Sequence, residues 1–177
     1  HSLADLGADV IKVESPGGDT ARQDPPFGGD IAGPDHSLSF IHFNANKRSV
    51  VLDIQTAEDR RIFLDLAKTA DIVLESYPPG HLEGLGIGSS QMRAANPGVV
   101  LVSFTPFGQT GPLRDYKGNN AVAEAMSGVI FTLGDDTRAP CISPNEYLSQ
   151  VASLHGAFYA LSGVYNRRQG GSGQHID

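Results

Sequence analysis

Val99-Val100-Leu101-Val102-Ser103-Phe104 is a near-continuous apolar run of the kind seen in strands covered on both faces. A buried parallel strand has to be reached through helical crossovers, so the segments around it should alternate. Just upstream, Ser89 to Ala95 reads as a short helix stopped by Asn96-Pro97-Gly98. Further back, Val10 to Glu14, Ser49 to Asp53 and Asp71 to Glu75 are short and rich in β-branched residues. Between the last two, Thr56 and Asp59 form a capping-box-like pair, and Ile62, Phe63, Leu66 and Ala67 fall at helical spacing. Downstream, Asn120 to Ser127 and Glu146 to Arg168 complete the helices, the latter with Leu148, Val151, Leu154, Phe158, Leu161 and Val164 along a stripe. The alternation predicts an α/β fold with βαβ units: a Rossmann-like, mostly parallel, doubly wound sheet with flanking helices.

Composition narrows the class. The 177 residues are 40% hydrophobic and 19% charged, enough for one globular core and too few for two ordinary ones. Thirteen Lys and Arg against 20 Asp and Glu give a net charge of -7, with no overall basic field to draw nucleic acid or an anionic membrane. The single cysteine, Cys141, excludes an internal disulfide framework, and no apolar run approaches the roughly 20 residues of a membrane span. A cytoplasmic protein is the expectation. His1 to Gly7 reads as the end of a helix with Leu3 and Leu6 on one face and Gly7 as its stop, so the chain is expected to be an internal part of a larger protein.

Two long loops, Ser15 to Ser37 and Pro106 to Gly118, follow strands, which is where open α/β sheets bind ligands. Several chemistries can be set aside. The six histidines show no i, i+4 pair and no companion cysteine spacing, so no metal is expected. His155 reads as a packing residue within the terminal helix, and Cys141 as a buried small hydrophobe. Gly84-Leu85-Gly86-Ile87-Gly88 follows no strand and reads as a turn rather than a dinucleotide fingerprint.

What survives is an ordered series of local patterns. Leu6-Gly7-Ala8-Asp9-Val10-Ile11-Lys12-Val13-Glu14 comes first, then Asn44-Ala45-Asn46-Lys47-Arg48-Ser49 leading to Leu52-Asp53. Ala70-Asp71-Ile72-Val73-Leu74-Glu75-Ser76-Tyr77-Pro78-Pro79-Gly80 and Leu85-Gly86 follow, then Asn96-Pro97, Ser103-Phe104-Thr105-Pro106-Phe107-Gly108, and the ending from Arg167-Arg168 to Gly173-Gln174. In this order, over essentially the whole chain, the series resembles the family III CoA-transferases, the group of formyl-CoA transferase, carnitine CoA-transferase and α-methylacyl-CoA racemase. The resemblance implies residues 1–177 to be part of a large CoA-binding domain, a smaller domain elsewhere, and an interlocked homodimer. It implies transfer of CoA from an acyl-CoA to a free carboxylic acid through a carboxylate nucleophile, or, in the racemase branch, α-proton exchange by an aspartate and a histidine. Acyl-CoA and a carboxylic acid are thus the implied partners, with no metal, nucleic acid or membrane.

By the family pattern, Ser15, Leu52, Asp53, Ile54, Gln55, Ser76, Tyr77, Leu85, Lys117 and Asn119 fall where CoA is held. Ser15 stands where relatives often have an arginine, and Gly84 where a basic residue is common. Leu52 and Leu85 read equally well as core, Lys117 as a solvated lysine, and Lys47 and Arg48 as structural or as meeting a partner chain. The position of the nucleophilic aspartate falls at Ser149, whose hydroxyl cannot form an acyl anhydride and has no base visible nearby. Glu146, one helical turn earlier, brings a carboxylate to nearly the same face; its plainer reading is a first-turn acid favoured by the helix dipole. Two explanations of Ser149 follow. The chain is the half of a tandem protein that lacks the aspartate, which the sequence favours, or it is a divergent CoA-binding member. A non-catalytic binding or dimerisation half, or a racemase-like member, stands as the alternative.

Overall fold

The structure, a computed structural model, describes residues 1–135, 137–144 and 146–177. Its contacts divide the chain into two compact units, His1–Asp65 and Leu66–Asp177.

In the first unit β1 (Val10–Glu14) pairs in parallel with β2 (Lys47–Val51), from Val10 opposite Lys47 to Glu14 opposite Val51. β2 thus begins and ends two residues before the expected Ser49 to Asp53. Asn46 at φ 61° turns the chain into the strand early. Leu52 N–H still donates to the Glu14 carbonyl at 2.9 Å, after which the Asp53 carboxylate accepts from Gln55 N–H at 3.0 Å and bends the chain away. Before β1, α1 (Ser2–Asp5) buries Ala4 and leaves Leu6 81% exposed, so its buried face is not the one the leucines suggested.

Nothing in the sequence pattern announced α2 (Leu38–Asn44). Of its apolar residues Leu38, Ile41 and Phe43 are exposed and Phe40 is half-buried, so no buried stripe betrays it; it is held by Ser37, whose Oγ accepts from Phe40 N–H at 3.1 Å and donates to the Asp24 carbonyl at 2.7 Å. α3 (Ala57–Ala67) starts as expected, with Thr56 Oγ1 accepting from Asp59 N–H at 3.2 Å. Its box closes differently: the Asp59 carboxylate accepts from Asp53 N–H at 2.7 Å, reaching past the cap to the strand end.

In the second unit β3 (Ile72–Glu75), β4 (Val100–Ser103) and β5 (His175–Ile176) form a parallel sheet in the order β3-β4-β5. All four residues of β4 are buried, as its apolar run required. α4 (His81–Gly84) and α5 (Ser89–Ala95) link β3 to β4; α6 (Asn120–Ser127) and the 22-residue α7 (Tyr147–Arg168) lead to β5. Among the described residues all pairings between named strands are parallel, as the alternation predicted, in one two-stranded and one three-stranded sheet.

α7 corrects the helical stripe. Leu154, Phe158 and Leu161 are 60%, 64% and 48% exposed, and the residues turned inward are Gly156, Ala160 and Gly163. Ala160 joins Val100 and Val102 in a buried cluster edged by Ile72, Phe104, Val164 and Ile176. Small residues at i, i+4 and i+7 let the helix approach the sheet more closely than leucines would. His155 and Cys141 are both exposed, not packed as expected.

A Cβ at Gly156 would lie 2.2 Å from the Phe104 ring. Glycine to alanine inside a helix ordinarily stabilises by about 1 kcal/mol. Here Gly156→Ala is expected to destabilise by about 1–3 kcal/mol through overpacking, and Phe104→Leu in the same background to recover part of it. Urea denaturation of the full-length protein measures both, and a gain in stability for Gly156→Ala would contradict the packing.

Candidate functional site

The first turn of α7 is a built polar structure within the second unit. Glu146 precedes the helix at φ 54°, ψ 43°, a left-handed conformation that costs a non-glycine residue about 1–2 kcal/mol. It does not cap the helix with its side chain. That task falls to Asn120 on α6, whose Oδ1 accepts from Leu148 N–H at 3.0 Å and Ser149 N–H at 3.2 Å. The Asn120 amide nitrogen donates to Glu124 Oε1 at 2.7 Å, and Glu124 Oε2 accepts from Ser143 N–H at 2.9 Å. Glu124 is fully buried, so its carboxylate rests on these bonds.

Glu146 instead faces Ser149: the serine Oγ donates to Glu146 Oε2 at 3.2 Å, and both side chains are exposed. The expectation that Ser149 has no base nearby is therefore overturned, and Glu146 stands at the N-cap position, one residue before the first turn in which it was placed. Its carboxylate lies against the hydroxyl that occupies the expected position of the aspartate.

The other expected contacts fall into two sets. In the first unit, Ser15 is exposed and donates to the Gly18 carbonyl at 3.0 Å. Leu52 is only 6% exposed and serves the core. Asp53, Ile54 and Gln55 form the turn after β2, closed by Arg60, which donates to the carbonyls of Ile54 at 3.1 Å and Gln55 at 2.8 Å. Sequence reasoning missed Arg60. Lys47 donates to Asn44 Oδ1 at 2.9 Å, and Arg48 to Asp9 at 3.0 and 2.5 Å.

In the second unit, Ser76 and Tyr77 stand at the carboxyl end of β3, and the 43% exposed tyrosine ring stacks on His81 at 4.8 Å and 18°. Leu85 is half-buried and Lys117 exposed. Asn119 caps α6, its Oδ1 accepting from Val122 N–H at 3.0 Å. Below this strand end lies a cavity of about 10 Å³ bounded by Glu75, Pro78, Leu82, Glu83 and Ser103, room for one water and too small and acidic for a nucleotide.

The long loop after β1 is organised by a buried ion pair. Glu14, 4% exposed, accepts from Arg22 Nε at 2.7 Å and Nη2 at 2.9 Å, from Ser49 Oγ at 2.6 Å and from Asp19 N–H at 3.1 Å. The Arg22 bonds lead in holding the Glu14 carboxyl at about 2 against its ordinary 4.5; burial opposes them, and the Ser49 and Asp19 bonds assist. Arg22 also lies 3.9 Å over the Phe40 ring, and Lys12 pairs with Asp19. Among the described residues no cluster of His, Cys, Asp and Glu is placed to hold a metal, and no helix is long and apolar enough to cross a membrane.

Parallel strands joined through helices, with polar and aromatic residues after β3 and a carboxylate beside a hydroxyl at the start of α7, define an α/β protein. Comparison with known proteins gives the class a family: all of residues 1–177 match the model of CoA-transferase family III, and the chain belongs to it. The chain is 36% identical to the succinyl-CoA:(R)-benzylsuccinate CoA-transferase subunit BbsE of Thauera aromatica, covering 99% of this chain and 43% of that one. It is 39% identical to the probable CoA-transferase Rv1866 of Mycobacterium tuberculosis, with 99% and 22% covered. A CAIB/BAIF family protein from Brucella suis superposes with a TM-score of 0.92 at 34% identity, over 99% of this chain and 46% of its own. The chain therefore spans less than half the length of each of these relatives.

Proposed function

We propose that the protein to which this chain belongs moves CoA from an acyl-CoA thioester to a free carboxylic acid, and that Glu146 supplies the carboxylate that carries the acyl group. One observation carries the choice of residue: Glu146 Oε2 lies 3.2 Å from Ser149 Oγ while its capping role is taken by Asn120. The carboxylate attacks the thioester carbonyl, the C–S bond breaks, and CoA leaves as thiolate. The thiolate attacks the Glu146 carbonyl of the mixed anhydride and releases the donor acid. The acceptor carboxylate then attacks the glutamyl thioester and expels the thiolate, which takes the acceptor's acyl group and restores Glu146. Ser149 donates a hydrogen bond that orients the carboxylate at the start of each round.

The contacts to CoA are proposed separately for the two units. In the first, Asp53, Ile54, Gln55 and Ser15 line the strand ends, with Leu52 behind them as packing. In the second, Ser76, Lys117 and Asn119 offer polar contacts, Tyr77 a flat ring and Leu85 an aliphatic contact. The full-length protein, given a panel of CoA thioesters and carboxylic acids, is expected to form new thioesters. No transfer and no CoA binding by calorimetry would remove the proposal.

A second reading also has an observation behind it. The same 175 matched residues are 22% of Rv1866 but 43% of BbsE, so Rv1866 is about twice as long. That length suits two transferase-like halves, of which the one without the aspartate would serve binding and dimerisation. Ser149→Asp separates the readings. With Glu146 as nucleophile, the new carboxylate repels it, and kcat is expected to fall about 10-fold. If another half supplies the nucleophile, turnover stays within about twofold.

A further inference from the structure

The fully buried Glu124 takes no part in the acyl transfer just described, yet its two oxygens hold Asn120 and Ser143. An asparagine side chain presents an oxygen on one side and an NH₂ on the other, and nothing in its shape decides which way it faces. A carboxylate only accepts, so Glu124 admits the NH₂ end alone. Asn120 is thereby obliged to turn its oxygen toward α7, where two unpaired helix N–H groups at Leu148 and Ser149 require an acceptor. We infer that Glu124 is a positioning residue: through Asn120 it fixes the first turn of α7, and so the separation of Glu146 and Ser149. The inference rests on the proposed role of Glu146 for its effect on turnover, but not for its effect on the helix.

The network can be inverted by exchanging its amide and its carboxylate. In Glu124→Gln the side chain still accepts from Ser143 N–H, but now presents NH₂ to the NH₂ of Asn120. Either the two donors collide, or Asn120 flips and sets its NH₂ against the α7 N–H groups, or the new amide flips and sets its own NH₂ against Ser143 N–H. In the double variant Glu124→Gln with Asn120→Asp every bond is restored, because the carboxylate now on α6 at position 120 accepts from the amide at position 124 and from both helix N–H groups.

In the full-length protein, Glu124→Gln is expected to lower kcat at least about 10-fold with KM for acyl-CoA within about twofold, and the double variant to regain most of it. Hydrogen exchange at residues 147–150 is expected to quicken at least about 10-fold in Glu124→Gln and return to the parent rate in the double variant. Exchange unchanged by Glu124→Gln, or a double variant that folds but exchanges as fast as the single one, overturns the inference. If Glu124→Gln does not fold, the double variant against the parent decides by the same two readouts. A parent protein without transferase activity removes the role of Glu146, while the exchange result still judges the relay.

Discussion

Glu146→Gln is expected to lower kcat for acyl transfer by at least about 1,000-fold, the largest effect on activity in this protein. The amide keeps the size of the side chain and can still accept from the Ser149 hydroxyl, which now lies 3.2 Å from Oε2. It has no anionic oxygen with which to open a thioester, so the covalent route is lost rather than slowed. Because Asn120 caps α7, the substitution leaves the helix terminus intact, and thermal stability should remain within a few degrees of the parent. Turnover close to that of the parent would show that the nucleophile lies elsewhere in the protein. Glu146→Asp is the finer probe: a shortened carboxylate should retain measurable transfer where the amide retains none.

Arg22→Ala is expected to have the largest effect on stability, about 3–5 kcal/mol, because it strips a buried carboxylate of its paired charge. Glu14 would keep Ser49 and the Asp19 amide, which cannot replace a bidentate guanidinium. The loss is expected to disorder the loop after β1, since Arg22 also bonds the Pro34 carbonyl at 3.3 Å and Asp35 at 3.2 Å and stacks on Phe40. The same pair sets a pH dependence. Glu14 titrates at about 2 in the folded chain against an ordinary 4.5, so the native state favours the ionised form. Its stabilisation, about 3 kcal/mol, is complete above pH 4.5 and lost as the pH falls toward 2. Glu14→Gln should flatten that acid limb, whatever it does to stability at neutral pH. Urea titrations of the full-length protein from neutral pH down to about 2 test both, and an unchanged acid limb in Glu14→Gln would contradict the assignment.

Much of the fold was legible because burial and pattern coincide in β4. Its residues are apolar or small and all buried, so a continuous run in the sequence is a buried strand in the structure. Where burial and apolar pattern part, the expectation failed. α2 exposes Leu38, Ile41 and Phe43 and half-buries only Phe40, and α7 turns glycine and alanine inward, so neither helix shows its buried face as a hydrophobic stripe.

The candidate site divides in the same way. Ser149 was singled out by its place in the family pattern, and Glu146 because three residues span nearly one helical turn, a distance the sequence itself supplies. Asn120 was missed although it stands beside Asn119. Either asparagine suits a helix start, and only tertiary packing decides that Asn119 caps its own helix while Asn120 caps another 28 residues away. Glu124 carried a signal that went unused: it lies four residues after Asn120, the spacing of side-chain pairs on a helix. Its complete burial lay beyond local pattern, since glutamate on a short helix ordinarily faces water.

Trapping the acyl-enzyme decides whether Glu146 is the nucleophile. Full-length protein incubated with an acyl-CoA donor and then with borohydride or hydroxylamine will carry a reduced or hydroxamate-modified carboxyl group, which peptide mass spectrometry locates. The modification is expected on Glu146. Its appearance on an aspartate in another part of the protein, with Glu146 untouched, would contradict the assignment.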